Sequence, residues 1–267
     1  MRLVFLGSPA AAVPSLEALI AAGHDIALVV TQPDRRRGRG NDLIPTPVKA
    51  AAIEHGIPTS ENVDDALAVG AELGVVVAFG KIIKPHVLEA LPMINVHFSL
   101  LPRWRGAAPV ERAILAGDRE TGVCIMNVDV GLDTGDVYAT ERVAIDDDLS
   151  ADELTAKLAD HGARLLIRTL EGGLTGASPQ VGEPTYASKI TPDELALDLT
   201  RPPEELVRVT RLGRAWTTVN GKRLIVWRAR VNDDGAFEPV EVQPEGKGRM
   251  KYADWARGIG GAVALGT

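Results

Sequence analysis

Apolar residues arrive in this chain as short runs broken by turn residues, and the runs alternate between two periods. Residues 2–6 form a nearly continuous apolar run that stops at Gly7, Ser8 and Pro9, as a buried strand does. Over residues 14–22, Leu16, Leu19 and Ile20 recur at helical spacing with Val13 just ahead, and Gly23 follows as a stop. A second apolar run, Ile26 to Val30 within residues 25–31, completes a strand, helix, strand unit of the kind that closes right-handed. The alternation continues with a helix over 46–55, a strand over 75–79, a helix over 85–91, a strand from Ile94, a helix over 110–116 and a strand over 121–129. Strands joined by helices run parallel, so this part is expected to be α/β, a doubly wound parallel sheet.

The run from Ile94 departs from the others. INVHFSLLPRWRGAAP (94–109) places polar residues at alternate positions, so that Asn95, His97 and Ser99 would share one face of an extended strand while Ile94, Val96 and Phe98 share the other. The run breaks at Pro102 into a loop with Arg103, Trp104, Arg105 and Gly106, which puts the polar face at a loop rim, where α/β proteins bind ligands. The remaining histidines, His24, His55, His86 and His161, stand without such neighbours and read as structural or exposed.

Composition narrows the classes. At 267 residues and 45% hydrophobic, the chain can bury a full core unaided. Its one cysteine, Cys124, lies inside an apolar run and is expected in the core. The first apolar run is too short for a signal-peptide core or a membrane span, so a cytoplasmic protein is expected. Net charge is −7, yet residues 201–267 hold twelve Lys or Arg against eight Asp or Glu. That asymmetry points weakly to a polyanionic partner at the basic end; a solvated mixed-charge surface is the plainer reading.

Two loops carry further signals. GSPAAAVPS after the first strand lacks G-x-G-x-x-G, and Thr31, Gln32 and Pro33 stand where an acidic residue would end the second strand, so a nicotinamide or flavin cofactor is not expected. TQPDRRRGRGNDLIPTP, spanning the 32–47 loop, gathers Arg35, Arg36, Arg37 and Arg39 among glycines and prolines with no apolar period. It reads as an exposed loop, disordered in the free protein, whose cations could meet a phosphate backbone. In VGLDTGDVY, Gly131 and Gly135 bracket Asp133, a turn that could hold a carboxylate near another strand end; Asp133 and Asp136 could equally satisfy their own backbone.

INVHFSLLPRWRGAAP followed by ETGVCIMNVDVGLDTGDV closely resembles the formyltransferases that use 10-formyltetrahydrofolate, and among them those that act on initiator methionyl-tRNA. The similarity also takes in the GSP turn, the TQPDRRRGRG loop, VVVAFGKIIKP and YASKI, covering most of residues 1–190. The resemblance implies a Rossmann-like formyltransferase domain over 1–190, with Asn95, His97 and Asp133 as the catalytic set and no metal. It implies folate contacts at Ser99, Leu100, Leu101 and Pro102. It also implies that the arginine loop closes over the acceptor end of the tRNA, the product being formylmethionyl-tRNA for translation initiation.

The chemistry of those residues fits. An α-amine attacking a formyl carbon leaves negative charge on oxygen, which an Asn95 amide N–H and a His97 imidazole N–H could meet. Asp133 would orient the ring, and a proton could pass from attacking to leaving nitrogen through this group or a water, or through Asp133 itself. Two other readings stay open: formylation of a small amine by the same three residues, and a nucleic-acid-binding module without catalysis.

From about Thr191 the pattern changes. A linker over 191–203 with Pro202 and Pro203 precedes short strand candidates at 215–219, 223–229 and 239–242, separated by Asn220-Gly221 and Asp234-Gly235. The resemblance makes 204–267 a small OB-like β-barrel that adds a basic tRNA-binding surface, with Lys222 and Arg223, and also Arg228 and Arg230, as candidate backbone contacts. This end departs from the family pattern, because residues 211–216 lack the Asn-Pro-Trp-Pro element and 231–237 are too few for the usual intervening strands, so the barrel is expected to be incomplete. A monomer is expected.

Overall fold

The computed structural model describes residues 1–37, 42–260 and 263–267, with backbone alone at 35–37 and 42. The chain forms two compact units: residues 1–109, 120–144 and 155–187, and residues 110–119, 145–154 and 188–267.

The first unit is built on β1 (Arg2–Gly7), α1 (Val13–Ala21), β2 (Asp25–Val30), β3 (Arg35–Arg37), β4 (Asp42–Ile44), α2 (Pro47–Glu54), β5 (Thr59–Ser60), β6 (Leu73–Val77), α3 (Pro85–Ala90) and β7 (Met93–His97). There follow β8 (Arg105–Gly106), β9 (Glu120–Asn127), β10 (Val137–Ala144), all but the first turn of α5 (Ala151–Glu171) and β11 (Tyr186–Ala187), while α4 (Pro109–Ala116), between β8 and β9 in the chain, belongs to the second unit from residue 110 on. Seven strands make one sheet in the order β10-β9-β7-β6-β1-β2-β5. The strands from β7 to β5 run parallel, as the alternating pattern predicts, but β9 is antiparallel to β7 and β10 antiparallel to β9. The wholly parallel sheet expected from the sequence is therefore corrected to a mixed one, because apolar period carries no information on strand direction and the 128–136 turn folds β10 straight back on β9.

Local chemistry explains the elements. Pro14 starts α1, which is followed by Gly23 at φ +79°. Thr46 caps α2 by accepting the Lys49 N–H. Ser150 and Glu153 form a reciprocal capping box ahead of α5. Leu158, Leu165, Leu166 and Leu170 bury one side of that helix. Gly162 of α5 lies so near the sheet that a Cβ would meet Val96, Val123 and Phe98. Another part of the core, with Val4, Leu6, Leu28, Val30, Val76, Phe79, Val87 and Met93, packs around the parallel strands.

Several expectations are revised. The strand expected to carry Ser99 ends at His97, and Ser99 is fully buried with its hydroxyl donating to the Arg103 carbonyl. The strand expected to reach Phe79 ends at Val77, where Ala78 turns to φ +47°. The arms of the 32–47 loop, expected to be disordered, pair antiparallel as β3 and β4, while Arg39 and the expectation for it lie outside the described residues. Cys124 is buried as expected, and burial pushes its thiol pKa up.

In the second unit, α6 (Pro203–Thr210) starts at the second residue of the expected linker pair. The strands β12 (Ala215–Val219), β13 (Lys222–Val231), β14 (Phe237–Pro244) and β15 (Met250–Lys251) pair in that consecutive order, and α7 (Tyr252–Gly258) follows. Leu206, Val209, Ala215, Leu224, Val226 and Val242 form its core. Among the described residues no strand pairing closes this antiparallel sheet into a barrel. None of the described helices is long and apolar enough to cross a membrane.

Candidate active site

β7 is an interior strand, hydrogen-bonded to β6 on one edge and β9 on the other. Val96 faces α5, where it meets the position a Gly162 side chain would take, so Asn95 and His97 point to the opposite side. There they line a cavity of about 610 Å³ bounded by Pro9 after β1, Val76 and residues 78–83 after β6, Gly106, Ala107 and the 128–133 turn. This is the carboxyl end of the parallel strands, beside the point where the sheet order reverses at β1, and the volume suits a small organic ligand.

The turn after β9 brings Asp133 to the same cavity, whereas Asp136 does not line it. Asp133 adopts φ +50°, a conformation that needs external support in a non-glycine residue. Two contacts supply it. The Gly106 N–H donates to Asp133 Oδ2 at 2.7 Å, and the Gln180 amide donates to the carbonyls of Asp133 and Gly135 at 2.8 and 2.9 Å. Arg105 in turn donates to Gln180 Oε1 through Nε and Nη2 at 3.0 and 2.7 Å. Gly135 is required by close approach, since a Cβ there would run into the Asn127 carbonyl oxygen.

His97 is buried, with its Nε2 3.0 Å from the Trp104 carbonyl oxygen and its Nδ1 3.7 Å from Asp133 Oδ2. A carbonyl only accepts, so Nε2 carries the hydrogen. In the neutral ring Nδ1 then holds the lone pair and faces the carboxylate side. This changes the role that sequence reasoning gave the ring: the fixed N–H is committed to backbone, and the nitrogen left for chemistry is a proton acceptor. Asn95 is half-buried at the cavity wall, and its amide makes no hydrogen bond among the described residues.

The other expected residues lie elsewhere. Ser99, Leu100, Leu101 and Pro102 do not line this cavity. The backbone of Arg35, Arg36 and Arg37 forms β3, while Arg39 lies outside the described residues. Lys222 and Arg223 are exposed at the start of β13, with the Arg223 guanidinium 4.5 Å from the Trp216 ring centre. Arg228 and Arg230 pair with Glu153 and Glu238. Among the other histidines, His55 pairs with Glu17, His86 with Asp64 and His161 with Glu141.

Sequence reasoning missed Gln180, Arg105 as its partner, and the Trp104 carbonyl. It also missed an apolar rim, where Ile82 is 92% exposed, Val130 72% and Leu132 60%. Exposed apolar residues around a cavity mouth offer a face for a flat organic ring. Among the described residues no three His, Cys, Asp or Glu side chains gather to hold a metal ion.

Residues 1–170 match the family model described as "Formyl transferase". A methionyl-tRNA formyltransferase of Symbiobacterium thermophilum is 42% identical, the match covering 100% of this chain and 94% of that protein. That alignment is 310 positions long, longer than the chain, so the relative carries residues without a counterpart here. A methionyl-tRNA formyltransferase of Clavibacter sepedonicus is 43% identical over 97% of each chain. Among solved structures, the methionyl-tRNA formyltransferase from Clostridium thermocellum has the same fold, with a TM-score of 0.66, 16% identity and coverage of 93% of this chain and 100% of that one. HypX from Aquifex aeolicus in complex with tetrahydrofolic acid aligns with a TM-score of 0.67 at 16% identity, covering 97% of this chain and 47% of the other.

Proposed function

The chain belongs to the formyl transferase family, and from that premise we propose that it transfers a formyl group from 10-formyltetrahydrofolate to the free amino group of initiator methionyl-tRNA. The product, formylmethionyl-tRNA, serves translation initiation, which gives the protein a cytoplasmic place of work. The observation that carries the reading is the convergence of Asn95, His97 and Asp133 on one cavity, in a chain whose relatives over its full length are named for this reaction.

The residues divide the work as follows. The neutral α-amine attacks the formyl carbon, a C–N bond forms, and the carbonyl π electrons move onto oxygen. The Asn95 amide donates to that oxyanion, a contribution of about 2.7–4 kcal/mol for one well-placed donor. His97 Nδ1 takes the proton from the attacking nitrogen, and Asp133 stabilises the imidazolium so formed. His97 then returns the proton to the folate nitrogen as its bond to the formyl carbon breaks, which leaves tetrahydrofolate and an amide. Residues 78–83 and 128–133, with the apolar rim of Ile82, Val130 and Leu132, hold the folate ring system. Ser99, Leu100, Leu101 and Pro102 act from beneath, as the support of the strand end rather than as its contact surface.

Residues 1–190 form the catalytic domain in this reading, 191–203 the linker and 204–267 a reduced OB-like unit. Arg35, Arg36, Arg37 and Arg39, with Lys222 and Arg223, neutralise tRNA phosphates. Incubation with 10-formyltetrahydrofolate and charged initiator tRNA should yield acid-stable formylmethionine. No such product, with formylation of a small amine instead, would overturn the choice of acceptor.

A further inference from the structure

The arginine-bearing hairpin β3–β4 is mounted on the sheet by a compact polar root. Thr31, fully buried at the end of β2, shares a 2.6 Å hydrogen bond with Thr46 at the start of α2, so the entry and exit of the hairpin are tied together. Asp34 and Lys49 form a second tie across the same base, with Nζ 2.8 Å from both carboxylate oxygens. Ser8, after β1, accepts the Gln32 backbone N–H at 3.0 Å.

One side chain leaves this root and reaches the cavity. The Gln32 amide donates to the Phe79 carbonyl at 3.0 Å. Phe79 lines the cavity and sits between Ala78 at φ +47° and Gly80 at φ +73°, two left-handed residues in succession around it. A carbonyl in such a turn has no strand partner to rely on, and Gln32 is the donor that satisfies it.

We propose that Gln32 is a positioning residue that couples the two substrate sites: it links the cavity wall that meets the folate to the root of the arm that meets the tRNA. The inference rests on the function proposed above. Filling the cavity sets the Phe79 carbonyl, the carbonyl sets Gln32, and Gln32 sets the angle at which the hairpin leaves the sheet. The link works equally in reverse, because a coupling free energy belongs to both ligands. One hydrogen bond of ordinary net strength sets the scale at about 5-fold in affinity.

The test uses 5-formyltetrahydrofolate as a stable probe and uncharged initiator tRNA, with the full chain, by titration calorimetry. In the unmodified protein the affinity for 5-formyltetrahydrofolate should rise about 5-fold when tRNA is saturating, and the tRNA affinity by the same factor with folate saturating. In Gln32→Leu the ratio should fall to about 1, while each separate affinity stays within about 2-fold. Gln32→Glu, whose carboxylate cannot donate, should behave the same and serves if the leucine variant fails to fold. Gln32→Lys, which can still donate to the carbonyl, should recover part of the ratio. A wild-type ratio of 1, or a ratio unchanged in both Gln32→Leu and Gln32→Glu, overturns the coupling. Failure of the wild-type protein to bind 5-formyltetrahydrofolate at all overturns the proposed function instead.

Discussion

Replacing Gln180 by leucine should cost activity without touching any reacting atom. The side chain gives two hydrogen bonds to the turn that presents Asp133 and receives two from Arg105. Two neutral hydrogen bonds to the turn are worth about 1–3 kcal/mol net. Holding Asp133 at φ +50° costs a non-glycine residue about 1–2 kcal/mol. The support and the strain are therefore of equal size, and removing the support releases the turn to other conformations. A shift of about 2 kcal/mol corresponds to roughly 30-fold in population, so kcat should fall by about 10- to 100-fold, within what a displacement of about 1 Å at a reacting group produces. KM for either substrate should change by less than about 3-fold, and Tm should drop by about 4–8 °C. Single-turnover formation of acid-stable formylmethionine measures the chemical step. Gln180→Glu sharpens the test, because it still accepts from Arg105 but has no hydrogen to give the two carbonyls. If Gln180→Glu turned over at the normal rate, the turn would not depend on these bonds and the argument would fail.

Three further outcomes are expected. Asn95→Ala and His97→Ala should each lower kcat by about 10²–10³ with the fold intact by circular dichroism, and near-normal turnover in either would show the site is misassigned. Glu194 has its pKa lowered to about 2, chiefly by the Arg112 side chain and then by the Thr191 backbone N–H. A depressed folded-state value means this carboxylate contributes stability above about pH 4.5 that is lost as pH falls toward 2, so Glu194→Gln should flatten the acid limb of a pH–melting curve there, and an unchanged limb would count against it. Neutralising Arg35, Arg36, Arg37 and Arg39 together should weaken tRNA binding and reduce the slope of log affinity against log salt by about 3; an intact slope would remove the hairpin from the interface.

The parts of the molecule that could be read from sequence are those where side-chain type and period coincide with the structure. Asn95 and His97 stand out because they are polar on an apolar strand, and β1, β2 and β6 are recognisable as unbroken apolar runs. Strand direction was not legible, so β9 was not expected to run against the rest of the sheet. The 21 residues of α5 went unread although Ser150 and Glu153 announce its start and Leu158, Leu165 and Leu166 mark its buried side. β10 offered less, since its burial alternates only partly and four of its residues lie at intermediate exposure. Gln180 could not have been found, because its role exists only once the 176–182 segment is folded against the 131–135 turn. The atom that fixes the His97 tautomer is a main-chain carbonyl, and any residue at position 104 would supply it.

The catalytic pair stands on a strand held along both edges, and this separates what can vary in the molecule from what cannot. The distance between Asn95 and His97 is one pleat repeat, set by backbone geometry and shared with β6 and β9, so it cannot drift without unzipping the centre of the sheet. The rim formed by Ile82, Val130 and Leu132 and the arginine hairpin hang from loops that owe nothing to that repeat. A lineage could therefore exchange one amine acceptor for another by rewriting the periphery alone, and a redesign for a new acceptor should begin at those loops and leave β7 as it is.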